Sequence, residues 1–194
     1  EWVWEPATNK VDILFVIDNS GSMSQEQLAL TQRFPELLRE LIEPSDSDGD
    51  GRPDHPAVED INVGVISPDM GTMRHTVSTC RDRDRGDDGC LLHAPGPAVP
   101  GCASEFPTWL SRNPSNAESY SADQMAMDFT CIGTLGTSGC GFEQPIKALE
   151  KAVFDNVAPG GCNEGFLRPS SIVALIILTD EEDCSVDPDH PEMF

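Results

Sequence analysis

The stretch that most constrains the fold is VDILFVIDNSGSM, residues 11–23. Ile13 to Ile17 is an uninterrupted apolar run with β-branched and aromatic members, the pattern of a strand buried on both faces of a parallel sheet, and Asp18 closes it. Asn19-Ser20-Gly21-Ser22 then reads as a polar turn. Asp18, Ser20 and Ser22 set oxygen-bearing side chains at alternate positions, and in an extended turn alternate side chains point the same way. The donors are all hard oxygens, with no imidazole or thiolate among them. That chemistry suits Mg2+, Mn2+ or Ca2+.

Further apolar or amphipathic stretches alternate with this strand. Residues 24–43 carry Leu28, Phe34, Leu37, Leu38, Leu41 and Ile42, whose later members recur at helical spacing, and Pro35 inside the stretch is expected to kink or split the helix. INVGVIS, residues 61–67, reads as a second buried strand, and residues 72–79 as an edge strand. Ala122 to Ile132 reads as a short helix with Met125 and Phe129 inward. A further helix opens near Pro145, where proline suits the first turn, with Ile146, Leu149, Val153 and Val157 as its buried stripe. SIVALIILTD gives a fourth apolar strand, residues 172–178, running into Thr179-Asp180. Strands alternating with helices indicate an α/β, doubly wound, mostly parallel sheet in a single domain spanning residues 1–194. Trp2, Trp4 and Pro6 suggest an extended lead-in laid against the core.

Two segments break this rhythm. Residues 44–57 include DSDGDGRPD, in which Asp46, Asp48, Asp50 and Asp54 fit D-x-D-x-D-G-x-x-D with Gly51 at the sharp-turn position of a calcium loop. The twelfth position, where an EF-hand carries a bidentate Glu, is Ala57, so the loop is more similar to those of thrombospondin type 3 repeats and dockerins. A structural Ca2+ pinning this link is one reading; a solvated acidic, Gly/Pro-rich linker is the other. Residues 80–120 form an insertion rich in charge, Gly and Pro, expected to be held by local bridges among Cys80, Cys90 and Cys102 and anchored by Trp109 and Leu110. Its Arg/Asp alternation reads as a self-neutralising solvated loop.

Composition narrows the function classes. A net charge of −22 over 194 residues argues against nucleic acid and anionic membrane surfaces as partners. Seven cysteines without a CxxC pair suit an oxidised, exported protein, with one thiol left over, and imply an extracellular, cell-surface or periplasmic location with any leader outside this sequence. No apolar run reaches the ~18 residues of a membrane span. His55, His75, His93 and His190 are scattered, without metal-ligand spacing.

The Asp-x-Ser-x-Ser pattern after an apolar strand, together with LTD at residues 178–180, resembles the metal ion-dependent adhesion site of von Willebrand factor type A domains. The cysteine-rich loops and the blocks GCGFEQ and TDEEDCS are similar to secreted or lipid-anchored domains of that family from myxobacteria-like bacteria. This resemblance implies that the first and fourth strands flank one crevice, so that Asp180 joins Asp18, Ser20 and Ser22. It also implies a threonine on the loop before the Pro145 helix. Counting back from the helix as in the family's T-x-x-x-x-A-L arrangement lands on Glu143, while Thr137 lies earlier in the same loop, and both stay open as the remaining ligand. Such folds add about two strands and two helices after the fourth strand, which implies that this sequence is a C-terminally incomplete domain with an apolar edge.

The function so implied is a metal-dependent binding or adhesion module whose cation engages an exposed carboxylate of a protein partner. A structural surface module, its metals only stiffening the fold, is the alternative, and Glu143 favours it. A phosphatase of the haloacid dehalogenase type needs D-x-D after the strand, but Ser20 occupies the second position, and no other catalytic constellation is legible.

Overall fold

The computed structural model describes residues 9–96 and 99–187, apart from the side chain of residue 31. The expected lead-in with Trp2 and Trp4, and His190, lie outside the described residues.

Four strands form one mixed sheet in the order β3-β2-β1-β4, where β1 is Lys10–Ile17, β2 Asp60–Ile66, β3 Leu110–Arg112 and β4 Ile172–Leu178. β1 pairs in parallel with β2 (Val11 opposite Ile61, Phe15 opposite Val65) and with β4 (Val11 opposite Ile172, Ile17 opposite Leu178). β3 runs antiparallel to β2. The edge strand is therefore not residues 72–79, which make turns. It comes from the segment expected to be irregular, where Leu110 is drawn into the core and its neighbours pair with Ile61 and Asn62.

Alternation along β1 divides its side chains between two cores. Ile13, Phe15 and Ile17 face Leu38 and Ile42 of helix α1 (Ser24–Ile42) and Met125 and Phe129 of helix α2 (Ala122–Gly133). Phe15, Phe34 and Phe129 meet with ring centroids 4.8–5.2 Å apart, a tilted three-ring cluster at the centre of this layer. Leu14 and Val16 face the other way, toward Phe166, Leu91 and Ala148 of helix α3 (Pro145–Glu150), which continues through a π-helical turn at Lys151–Asp155. Helices thus cover both faces of an α/β sheet.

The helices depart from expectation in detail. α1 runs unbroken through Pro35, and its buried stripe is narrower than expected, since Leu28 and Leu37 are exposed. α3 buries Pro145, Ala148 and, through the π turn, Ala152, while Ile146 faces solvent. Small alanines let this helix sit close to β1, and the bulkier Ile146, Leu149 and Val153 are left to the rim. β4, fully apolar in sequence, is an edge: Ile172, Val173, Leu175 and Ile177 are exposed, while Ala174, Ile176 and Leu178 pack on the α1 side.

The insertion is not closed by local bridges. Cys80 pairs with Cys140, Cys90 with Cys162 and Cys102 with Cys131. Each joins the insertion to a different part of the second half: the loop before α3, the loop after the π turn, and α2. Cys184 is the free thiol. Three disulfides belong to an oxidising environment. No helix among the described residues is long and apolar enough to cross a membrane.

At the other end of the sheet, buried Asp12 meets Arg168. Arg168 Nε donates to Asp12 Oδ1 at 2.8 Å, its backbone amide donates to Asp12 Oδ2 at 2.8 Å, and Nη1 pairs with Asp60. This network locks the starts of β1, β2 and β4 together.

Candidate metal centre

Parallel pairing brings the carboxyl ends of β1 and β4 side by side, and Asp18 N donates to Leu178 O at 2.9 Å across them. Asp18 is fully buried. Its Oδ1 accepts the Ser20 amide at 2.7 Å, its Oδ2 accepts the Thr179 hydroxyl at 2.7 Å, and its carbonyl accepts Gln27 Nε2 at 2.8 Å. The Ser20 and Ser22 hydroxyls lie 3.0 Å apart, and Ser22 Oγ donates to Asp180 Oδ1 at 3.1 Å. Asp18, Ser20, Ser22 and Asp180 are therefore linked in one polar chain between two strand ends. Thr179 and Gln27, which orient Asp18, were not legible as site residues; the position of Thr179, directly after an apolar strand and opposite Asp18, was the available signal.

The loop before α3 closes the inner side. Gly139 N donates to Asn19 O at 2.7 Å, and a Cβ at Gly139 would overlap the Asn19 side chain and backbone, so only glycine permits this approach. Farther along, Cys184 N donates to Glu143 O at 2.9 Å and Gln144 N to Pro68 O at 3.0 Å. These bonds hold Glu143, which is buried, near Asp18 and Ser20. Burial pushes the Glu143 carboxyl above the ordinary carboxylate range; the charges of Asp18 and Glu181 add to that, while the Ser20 hydroxyl opposes it. Thr137 is exposed on the same loop. Of the two candidates left by the sequence, Glu143 is the one buried beside the centre.

The donor set fits a hard divalent cation. Two carboxylates are buried close together, and none of the ion pairs among the described residues involves Asp18, Glu143 or Asp180. Buried like charges repel strongly unless a counter-charge is supplied. Asn19 Oδ1, next to Asp18, is also buried with no hydrogen-bond partner. The centre has an inner half of Asp18, Ser20 and Glu143 and an outer half of Ser22 and Asp180, both exposed.

No family model, curated protein or solved structure matches the chain. The reading of this centre therefore stands on its geometry and on the motif.

The second acidic motif forms a distinct loop. Asp46, Asp48 and Asp50 each bring a carboxylate oxygen within 4.8 Å of the other two, the one such trio among the described residues. Asp46 Oδ1 accepts the amides of Gly49 at 2.8 Å and Asp50 at 3.1 Å, and Gly51 adopts φ +84°, the left-handed turn that its position requires. Asp54 turns instead to Ser47, whose hydroxyl and amide hold its carboxyl below the usual range, with the Ser45 hydroxyl adding a smaller effect. All four aspartates are exposed.

Proposed function

We propose that the chain is a non-catalytic, metal-dependent protein-binding module of the von Willebrand factor type A kind, acting outside the cell, at its surface or in the periplasm. The observation that carries this reading is the convergence of Asp18, Ser20, Ser22 and Asp180 from two parallel strand ends. Strands β2 and β4 lie on opposite sides of β1, so the crevice between β1 and β4 is where strand order changes direction, the usual ligand position in doubly wound sheets. Helices over both faces agree with that architecture.

In this reading Asp18, Ser20, Ser22, Asp180 and Glu143 hold Mg2+, or Mn2+ or Ca2+, and the bound cation supplies a Lewis-acidic point for a carboxylate oxygen of a protein partner. Glu143 and Asp18 bind from within, Thr179 and Gln27 fix the orientation of Asp18, and the exposed Ser22 and Asp180 leave the approach on the solvent side. Asp46, Asp48 and Asp50 hold a Ca2+ that stiffens the link between α1 and β2, with Asp54 closing the loop.

A specific observation favours a second reading. Glu143 stands where a neutral hydroxyl would leave the cation more electron-poor, and a second buried carboxylate satisfies a divalent charge without a partner. In that case the module is structural. Mn2+ titration followed by electron paramagnetic resonance tests the metal centre: Asp18→Ala should remove one class of bound Mn2+ that Asp46→Ala retains, and unchanged Mn2+ binding in Asp18→Ala would sink the reading. Water-proton relaxation of the Mn2+-loaded protein separates the two functions. A fast-exchanging water on the metal marks an open position and a binding module; its absence marks a saturated, structural one.

A further inference from the structure

Four of the chain's 12 lysines and arginines fall within residues 74–85, as Arg74, Arg81, Arg83 and Arg85. Their alternation with aspartates suggests mutual neutralisation, but the two signs are used differently. Asp82 Oδ1 turns back onto the loop and accepts the amides of Asp84 at 2.9 Å and Arg85 at 3.2 Å, bonds that hold its carboxyl below the usual range. Asp84 pairs with Arg74 at 2.8 Å, Asp87 accepts the Ser67 hydroxyl, and Asp88 pairs with Lys151. The carboxylates are thus engaged; Arg83 Nη1 donates to the Thr76 hydroxyl at 3.3 Å and Arg85 lies near Asp82, while the Arg81, Arg83 and Arg85 side chains are exposed. Arg74, Arg81 and Arg83 line a surface groove of about 770 Å3 together with Asp82 and Asp84.

This loop is tied to the segment that carries Glu143. Cys80 is bonded to Cys140, the Gly141 amide donates to Thr79 Oγ1 at 2.9 Å, and Gln144 Nε2 donates to Gly71 O at 2.9 Å. Glu143 follows Cys140 closely, and three residues of chain span ~10 Å at most. Inside the loop, Arg83 O accepts the amides of Thr72 and Arg74, both at 3.0 Å, so the arginines ride on an ordered backbone.

We propose that this arginine strap is the second half of the partner site, and that the partner is an acidic protein segment: one carboxylate meets the cation, and neighbouring carboxylates meet Arg81 and Arg83. The inference rests on the metal-centre reading above. Guanidinium forks match carboxylates in bidentate geometry. The charge of −22 disfavours an extended polyanion that would cover much of the surface, whereas a short acidic segment meets mainly local charge, because screening at physiological salt acts over ~8 Å.

The test is fluorescence anisotropy with a fluorescein-labelled hexa-aspartate peptide in magnesium buffer, using hexa-asparagine as neutral control and a heparin hexasaccharide as polysulfate comparator. The wild type should bind hexa-aspartate and not hexa-asparagine. Arg81→Gln with Arg83→Gln should weaken binding by about tenfold and flatten its salt dependence. Circular dichroism and a titration showing one free thiol establish that this exposed double variant is folded with its disulfides formed. Binding unchanged in the double variant, absent in the wild type, or tighter for the heparin fragment overturns the proposal. If Asp18→Ala loses binding while the arginine variant does not, the strap is wrong and the metal reading stands. If the arginine variant alone loses binding, the metal reading is wrong and the strap is an anion site by itself.

Discussion

Asp12 and Asp18 sit toward opposite ends of β1, both fully buried, and only the first faces a guanidinium. Breaking one partner of a buried ion pair strands the other charge, at a cost of about 3–5 kcal/mol. Arg168→Met should therefore destabilise the protein by that order in denaturant unfolding, while Asp12→Asn with Arg168→Met together should recover part of the loss. Asp69 offers a pH-dependent case. Burial raises its carboxyl above the model-peptide value of 3.8, with Asp87 and Asp82 adding to the shift and the Gly71 amide opposing it. A raised folded value means that folding favours the protonated form, so this contribution is present at and below pH 3.8 and is lost as pH rises through the folded value. Asp69→Asn keeps an acceptor for the Gly71 amide and removes the buried charge. It should raise the melting temperature at neutral pH, with a gain under about 1 kcal/mol after solvent screening, and the difference should vanish as pH falls toward 4.

At the scale of elements, the approach of the 137–144 loop to the Asn19 turn depends on one glycine. Gly139→Ala drives a methyl group into Asn19, and overpacking of this kind costs about 1–3 kcal/mol. Because the same contact holds Glu143 near Asp18, the variant should weaken Mn2+ binding as well as lower stability, which calorimetric titration measures. Much of this architecture was legible in the sequence. β1, β2, β4 and α2 follow from uninterrupted apolar runs or a clear helical period, signals strong enough to fix an element's type. The departures share a physical cause: β3 is only three residues long, held by pairing with β2 more than by its own pattern, and the stripe of α3 is read from alanines that periodicity underweights. Asp18, Ser20, Ser22 and Asp180 were visible because a strand end fixes side-chain direction. The choice between Glu143 and Thr137 was not, because loop conformation depends on Gly139 and the Cys80–Cys140 bridge, both long-range contacts.

Over the whole molecule, the three disulfides close loops with sequence separations of 60, 72 and 29. Loop-closure entropy assigns about 4 kcal/mol to each, against typical domain stabilities of about 5–15 kcal/mol. The bridges thus hold the long insertion together with the core contacts of Leu91, Phe106 and Leu110, and Cys80–Cys140 ties the arginine strap to the loop that carries Glu143. The exposed apolar edge of β4 lies on the side of the Asp18 crevice away from β2. The proposed function requires a cation at the ends of β1 and β4. Anomalous diffraction from crystals soaked in Mn2+ tests that claim most directly: a peak within coordination distance of Asp18, Ser20 and Glu143 oxygens is expected, and density confined to Asp46, Asp48 and Asp50, or absent from both, would contradict it.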